Sequence, residues 1–332
     1  MIRVSAEQTE TEMGAFILPR RYLGCLPVNR RALVIGLLLA LAPQPVLAQD
    51  MALSQVLIDG EDWQLVAEGL AFTDAACSDA AGNFYFSDLP RGTIHRVGLD
   101  GKDTAFIENG PKISGLKFGP DGRLYACTQG PKKQIVTFAL PSKEMAVLAG
   151  DVQPNDLVVT HKGDVYFTET GKHQVSLIDH NGKLRAVDVG ITAPNGLTLS
   201  PDQGTLAVSD YGGTNVWTFR IEADGGLSAK EPYMTMRAPL DKAALAAGDG
   251  MTTDAAGRYY VTSAAGVQIF DPTGRLCGVL AKPQNKGLVS VAFAGPNLEY
   301  LYVCCSDKIY RRKTKAKGIL FSKRPVPANQ KR

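Results

Sequence analysis

Four residues of this sequence, Asp74, Asn155, Asn195 and Asp249, have side chains of the kind that hold a hard cation. Asp74, Asn155 and Asp249 each stand eight residues ahead of a turn glycine (Gly82, Gly163, Gly257), and Asn195 stands nine ahead of Gly204. Ser114 and Ser290 share the phase, eight ahead of Gly122 and Leu298. Each of these polar residues opens an apolar run, as in Asn155-Asp156-Leu157-Val158-Val159 and Asn195-Gly196-Leu197-Thr198-Leu199. A carboxylate taken out of water without a partner is very costly, so two carboxylates and two amides meeting at one point need a cation or protons. Oxygen donors of this type suit Ca²⁺ first, with Zn²⁺, Mn²⁺ and Mg²⁺ also open. His95, His161, His173 and His180 fall outside the phase, which disfavours a zinc site of the His or Cys type. Asp and Asn also start turns for backbone reasons alone, and that reading competes at any single position. Recurrence at one phase favours the site.

For these residues to meet, the chain must return to one place at regular intervals, and it does repeat. Segments 79–97, 119–138, 160–178, 200–221, 254–270 and 295–310 share a pattern of turn, β-rich run, turn and second β-rich run. Measured from Gly82 through Gly122, Gly163, Gly204, Gly257 and Leu298, the steps are 40, 41, 41, 53 and 41 residues. A period near 40 made of short β-rich runs such as Phe84-Tyr85-Phe86 predicts an all-β chain, a six-bladed β-propeller with a central metal-binding channel. Helical repeats of similar length would show a 3.6-residue periodicity instead. Closing six units into a ring also disposes of exposed sheet edges. Segment 63–70 is expected to pair with 317–321 as the latch, and the long fourth step places an insertion near 231–248 over one face.

Composition sets the outer limits. Of 332 residues 45% are hydrophobic and 21% charged, with a formal charge of only +3, so no strong field points to nucleic acid or an acidic membrane. Arg30-Arg31, the uncharged run 32–42 and Val46-Leu47-Ala48 read as an export signal over residues 1–48, leaving one domain over 49–332 in the periplasm or outside the cell. The apolar run is too short for a permanent anchor, so no stable membrane insertion is expected after processing. Cys77, Cys127, Cys277, Cys304 and Cys305 remain, an odd number beside apolar stretches, and read as buried free thiols.

The stretches Pro194-Asn195-Gly196-Leu197, Asn155-Asp156-Leu157 with Val165-Tyr166-Phe167-Thr168, and Gly248-Asp249-Gly250-Met251 resemble the senescence marker protein/gluconolactonase family, also called regucalcin-like. That resemblance implies a six-bladed propeller with one metal in its channel and hydrolysis of sugar-derived lactones. It implies Asn155, Asn195 and Asp249 as metal ligands, with Asp74 where the family carries the Glu of Glu-Gly-Pro. Here the segment reads Asp74-Ala75-Ala76, so the carboxylate is kept, one methylene shorter, and the Gly-Pro is gone. Glu68-Gly69 looks like the motif but is out of phase.

On this reading a cation polarises the lactone carbonyl, Asp249 is the general base, and Ser114 and Gln129 are rim positions for substrate. Asp156 supports the ligand beside it, while Asp88, Glu169 and Asp210 bond turns and blades. Two other readings stay open: a metal-stabilised propeller that binds a sugar or protein without turnover, and an esterase or phosphoesterase using the same ring.

Overall fold

Runs such as Phe84–Asp88 and Tyr259–Ser263 are too short to stand alone, and each is bounded by a tight turn, so each pairs with its neighbour in sequence. The computed structural model describes residues 53–240 and 245–325. The expected export signal, residues 1–48, lies outside the described residues.

Within them the strands form six sheets of four antiparallel strands each. Blade I is Thr73–Ser78, Phe84–Asp88, Thr93–Val97 and Asp103–Ile107; blade II is Lys112–Phe118, Leu124–Gln129, Ile135–Ala139 and Glu144–Ala149. Blade III is Leu157–Val159, Val165–Glu169, Gln174–Ile178 and Leu184–Val189; blade IV is Pro194–Leu199, Thr205–Asp210, Asn215–Ile221 and Leu227–Thr235. Blade V is Met251–Thr253, Tyr259–Ser263, Gly266–Phe270 and Leu276–Leu280. Blade VI takes Leu288–Ala294, Tyr300–Cys305 and Lys308–Lys313 from the end of the chain and Gln64–Ala67 from its beginning. The chain is a six-bladed β-propeller.

The latch has a different partner from the one expected. Gln64 pairs with Arg311 and Leu65 with Tyr310, so blade VI is closed by the strand directly after its second one. Segment 317–321 goes elsewhere. Gly318 bridges Asp254, and Ile319–Ser322 line a cavity with the innermost strands of blades I, II, III, V and VI. The tail is held there by bonds from Gly318 N to Leu298 O and from Gln203 Nε2 to Phe321 O, both 2.9 Å. The insertion also differs: Glu231 and its neighbours extend the outer strand Leu227–Thr235, and the loop proper follows Thr235.

The core lies between blades. Tyr85, Ile94 and Ile113 join blade I to blade II, while Val158, Tyr166, Leu197 and Leu206 join blade III to blade IV. Cys304 and Cys305 enter different clusters, as expected for adjacent strand residues. All five described cysteines are free, and all but the half-buried Cys277 are buried.

Backbone conformation supplies a better ruler than the glycines. Gly82, Gly122, Gly163, Gln203, Gly257 and Leu298 all have φ between 55° and 92° and close the same turn, each amide bonding to a carbonyl three residues back. In blade IV the left-handed position is Gln203, not Gly204, so the ring residue stands eight before it in every blade. The odd spacing of Asn195 vanishes.

Candidate functional site

Each ring residue sits where the innermost strand breaks register. In blade I the pairing slips between Asp74 and Cys77, in blade II between Ile113 and Gly115, in blade IV between Pro194 and Leu197, and in blade VI between Leu288 and Ser290. In blade III, Asn155 N donates to Thr168 O while Thr168 N donates to Asp156 O; Asp249, Thr262 and Gly250 repeat this in blade V. Two residues therefore face one, a β-bulge, which re-aims the side chain that an ordinary strand would point into a neighbour. Asp74, Asn155, Asn195 and Asp249 are all half-buried. Ser114 and Ser290 are buried.

Gly196 and Gly250, one residue past the ring, show why the inner strands come so close. A Cβ on Gly196 would lie 2.3 Å from Asp249 O, and one on Gly250 would lie 2.7 Å from Ser290 Cα. Glycine here permits contact between backbones of adjacent blades. Blade I has no glycine at this place. Ala75 takes a φ of 60° instead, a left-handed conformation that costs an L-residue about 1–2 kcal/mol.

At every junction a side chain braces the next blade beside its ring residue. Ser87 Oγ donates to Ile113 O at 2.7 Å, Ser114 Oγ to Asn155 O at 2.6 Å, and Thr168 Oγ1 to Asn195 O at 2.6 Å. Ser209 Oγ donates to Asp249 O at 2.7 Å, Thr262 Oγ1 to Val289 O at 3.0 Å, and Cys304 Sγ reaches Asp74 O at 3.6 Å. A further set clamps the segment leading into the ring. Asp88 accepts the amides of Ala71 and Phe72, Glu169 that of Gln153, and Asp210 that of Ala193. These carboxylates hold backbone two or three residues ahead of Asp74, Asn155 and Asn195. Burial works against the charge of Glu169, but bonds from Lys172, Ser176, Gln153 and Gln174 outweigh it and hold the carboxyl below its usual range.

Electrostatics ties the ring together. Burial pushes the Asp249 carboxyl well above the usual carboxylate range, and the charges of Asp74 and Asp156 push it further. Asp74 is likewise raised by burial and by Asp156, with the Ala75 amide and Lys117 pulling the other way. Burial raises Asp156 as well, opposed first by Lys117. Three carboxyl groups from blades I, III and V thus share one field.

The residues expected at the site separate into groups. Ser114 gives its hydroxyl to Asn155 O, and Gln129 Nε2 donates to Ser114 Oγ at 2.7 Å and Pro154 O at 2.5 Å, so both brace blade III. Glu68 is exposed and pairs with Lys308 at 2.8 Å, away from the ring phase. Asp156 Oδ1 accepts the Leu157 amide at 2.8 Å. Two features escaped the sequence reading. Lys117 was not singled out, and the hydroxyl of Ser290, which the shared phase did mark, accepts the Ala76 amide at 3.0 Å, a bracing role that its spacing does not reveal. Among the described residues no three His, Cys, Asp or Glu side chains are placed to hold an ion by themselves. The ring offers a mixed set of two carboxylates and two amides.

Comparison with known proteins bears on the family and the fold. The family described as SMP-30/Gluconolactonase/LRE-like region matches residues 72–307. A gluconolactonase of Zymomonas mobilis is 24% identical over 293 residues, 77% of this chain and 82% of the relative. A pentonolactonase of Haloferax volcanii is 25% identical over 231 residues, 66% of this chain and 76% of the relative. The solved structure of a gluconolactonase from Xanthomonas campestris superposes with a TM-score of 0.70 at 21% identity, covering 79% of this chain and 92% of that one.

Proposed function

Because this chain belongs to the SMP-30/gluconolactonase/LRE-like family, we propose that it is a lactonase that opens sugar-derived lactones with the help of one divalent cation. The observation that carries the reading is the shared bulge position of Asp74, Asn155, Asn195 and Asp249 in four blades, where burial raises the carboxyls of both aspartates and the charge of Asp74 raises Asp249 further. Lys117 opposes only part of this at Asp74, and a bound cation would relieve it at both. With the amides of Asn155 and Asn195 beside them, the donors are all oxygen, which fits a hard cation, Ca²⁺ first.

A cation held by Asp74, Asn155, Asn195 and Asp249 would supply Lewis-acid chemistry at the lactone carbonyl. Asn155 and Asn195 contribute oxygen without charge, so the two aspartates alone set the anionic count of the ligand set. Asp249 is the general base: it takes a proton from the attacking water and later returns it to the ring-opened hydroxyl. Ser209 fixes the Asp249 backbone through its 2.7 Å bond, which limits how far that carboxyl can swing. With a small lactone as its substrate, the protein needs neither nucleic acid nor membrane. The N-terminal signal reading places the reaction in the periplasm or outside the cell.

Ala75 favours a second reading. The family's Glu-Gly-Pro becomes Asp74-Ala75-Ala76, with a shorter carboxylate on a strained bulge, which would suit a propeller that binds its metal and ligand without turnover.

Protein stripped with chelator and reloaded with single divalent ions should release protons from gluconolactone or a pentonolactone in a metal-dependent way. Metal uptake without turnover on any lactone would replace this reading with the second. Preference for phosphoesters or simple esters would move the chemistry to another hydrolase class.

A further inference from the structure

Lys117 is a half-buried charged residue on an innermost strand that neither the fold nor the ring explains. It lies on Lys112–Phe118, two residues past Gly115, so the two point to the same side of the strand. That side meets the inner segment of blade III beside Asn155 and Asp156. A Cβ on Gly115 would come within 2.9 Å of Asp156 Oδ1, and Lys117 lines the cavity of about 50 Å³ that also borders Ala76, Val158 and Ile319–Ser322. A lysine at the edge of a core ordinarily carries its ammonium out to water. Here Nζ turns inward and donates to Ala76 O at 3.2 Å, two residues past Asp74. The ammonium attracts the carboxyl groups of both Asp74 and Asp156.

We propose that Lys117 is a built-in counter-ion, a positioning residue that matches the channel to a divalent rather than a trivalent ion. When Asp74, Asp156 and Asp249 are all ionised, as a bound cation would favour, the single ammonium of Lys117 leaves a deficit of two charges. One divalent ion closes it. Asp156 does not need to touch the metal for this to work, because its charge is felt across the ring while its Oδ1 stays bonded to Leu157 N. Lys117 therefore acts at a distance, through charge, and the inference rests on the lactonase reading only for the presence of a cation in the ring.

Ca²⁺ and Tb³⁺ have similar radii and the same taste for oxygen, so comparing them isolates charge from shape. Both ions are titrated into chelator-stripped wild type, Lys117→Met, Lys117→Gln and Lys117→Arg at neutral pH, following calorimetry for Ca²⁺ and luminescence for Tb³⁺. Removing one positive charge from a low-dielectric site favours a trivalent ion more than a divalent one. Lys117→Met and Lys117→Gln should bind Ca²⁺ more tightly, and the ratio of Tb³⁺ to Ca²⁺ affinity should rise about tenfold. Lys117→Arg should keep the wild-type ratio. A ratio unmoved in both neutral variants, or both ions weakened in step, would overturn the role of Lys117 while leaving the cation site standing. Wild type that binds neither ion would overturn the metal-dependent reading itself, and this inference with it.

Discussion

Blades I, III, IV and V differ from blades II and VI at a single position on the same backbone. All six place a residue on a β-bulge, eight before a left-handed turn. In the first four that residue is Asp74, Asn155, Asn195 or Asp249, each half-buried. In the other two it is Ser114 or Ser290, buried, with its hydroxyl bonded to Asn155 O or to the Ala76 amide. The bulge is thus a device of the fold, and on the proposed reading the side chain placed on it decides between holding a ligand and bracing a neighbour. Function is carried by the side chain and not by the architecture.

The largest effect should separate these two classes. Asp249→Ala should lower kcat/KM on the best lactone by about 10³-fold or more, since on the proposed reading it removes both a ligand and the base. Ser114→Ala at the same bulge should cost less than about tenfold, with about 1 kcal/mol of stability lost through its bond to Asn155 O. Steady-state kinetics and denaturant melts on both variants check this. Equal losses of activity would erase the distinction between the classes.

A smaller effect concerns pH. Asp74 and Asp249 have carboxyl groups raised in the folded, metal-free protein, so the folded state holds protons that the unfolded chain releases near pH 4. Their contribution to stability is therefore complete below that pH and is lost as pH rises through the folded-state values. Chelator-treated protein should melt at lower temperature as pH is raised from about 4 toward 8, and added Ca²⁺ should remove the decline. Melting temperatures that are flat with pH, or that rise without metal, would contradict the field described for the ring.

The smallest effect is at Ala75. Replacing it with glycine relieves left-handed strain of about 1–2 kcal/mol, but removes a buried methyl worth about 0.8 kcal/mol and loosens the unfolded chain by about 0.4–1 kcal/mol. Ala75→Gly should change stability by less than about 1 kcal/mol and leave metal affinity unchanged. A large gain in lactonase rate would mean that the missing Gly-Pro had been limiting the site.

Much of this arrangement was legible in the sequence. The forty-residue period marked the blades because each repeat must bury its faces against the next, and the shared phase of six polar residues marked the bulge of each innermost strand. The irregular spacing of Asn195 was misleading only because glycine was used as the ruler; Gln203, with a φ of 58°, holds the position that geometry requires. The latch was misassigned for a related reason. Segments 308–313 and 317–321 are both short and carry apolar residues, and pairing register is set by the preceding hairpin turn, not by composition. Lys117 was hidden because one lysine in an alternating strand looks solvent-facing until the neighbouring blades close around it.

The account stands most directly on the number of ions the ring takes. Calorimetric titration of Ca²⁺ into chelator-stripped wild type, repeated in buffers of different ionisation enthalpy, should give one ion per chain with protons released on binding. The Asp74→Ala, Asp249→Ala double variant should take up none. Wild type that binds no divalent ion, or a double variant that binds as wild type does, would contradict it.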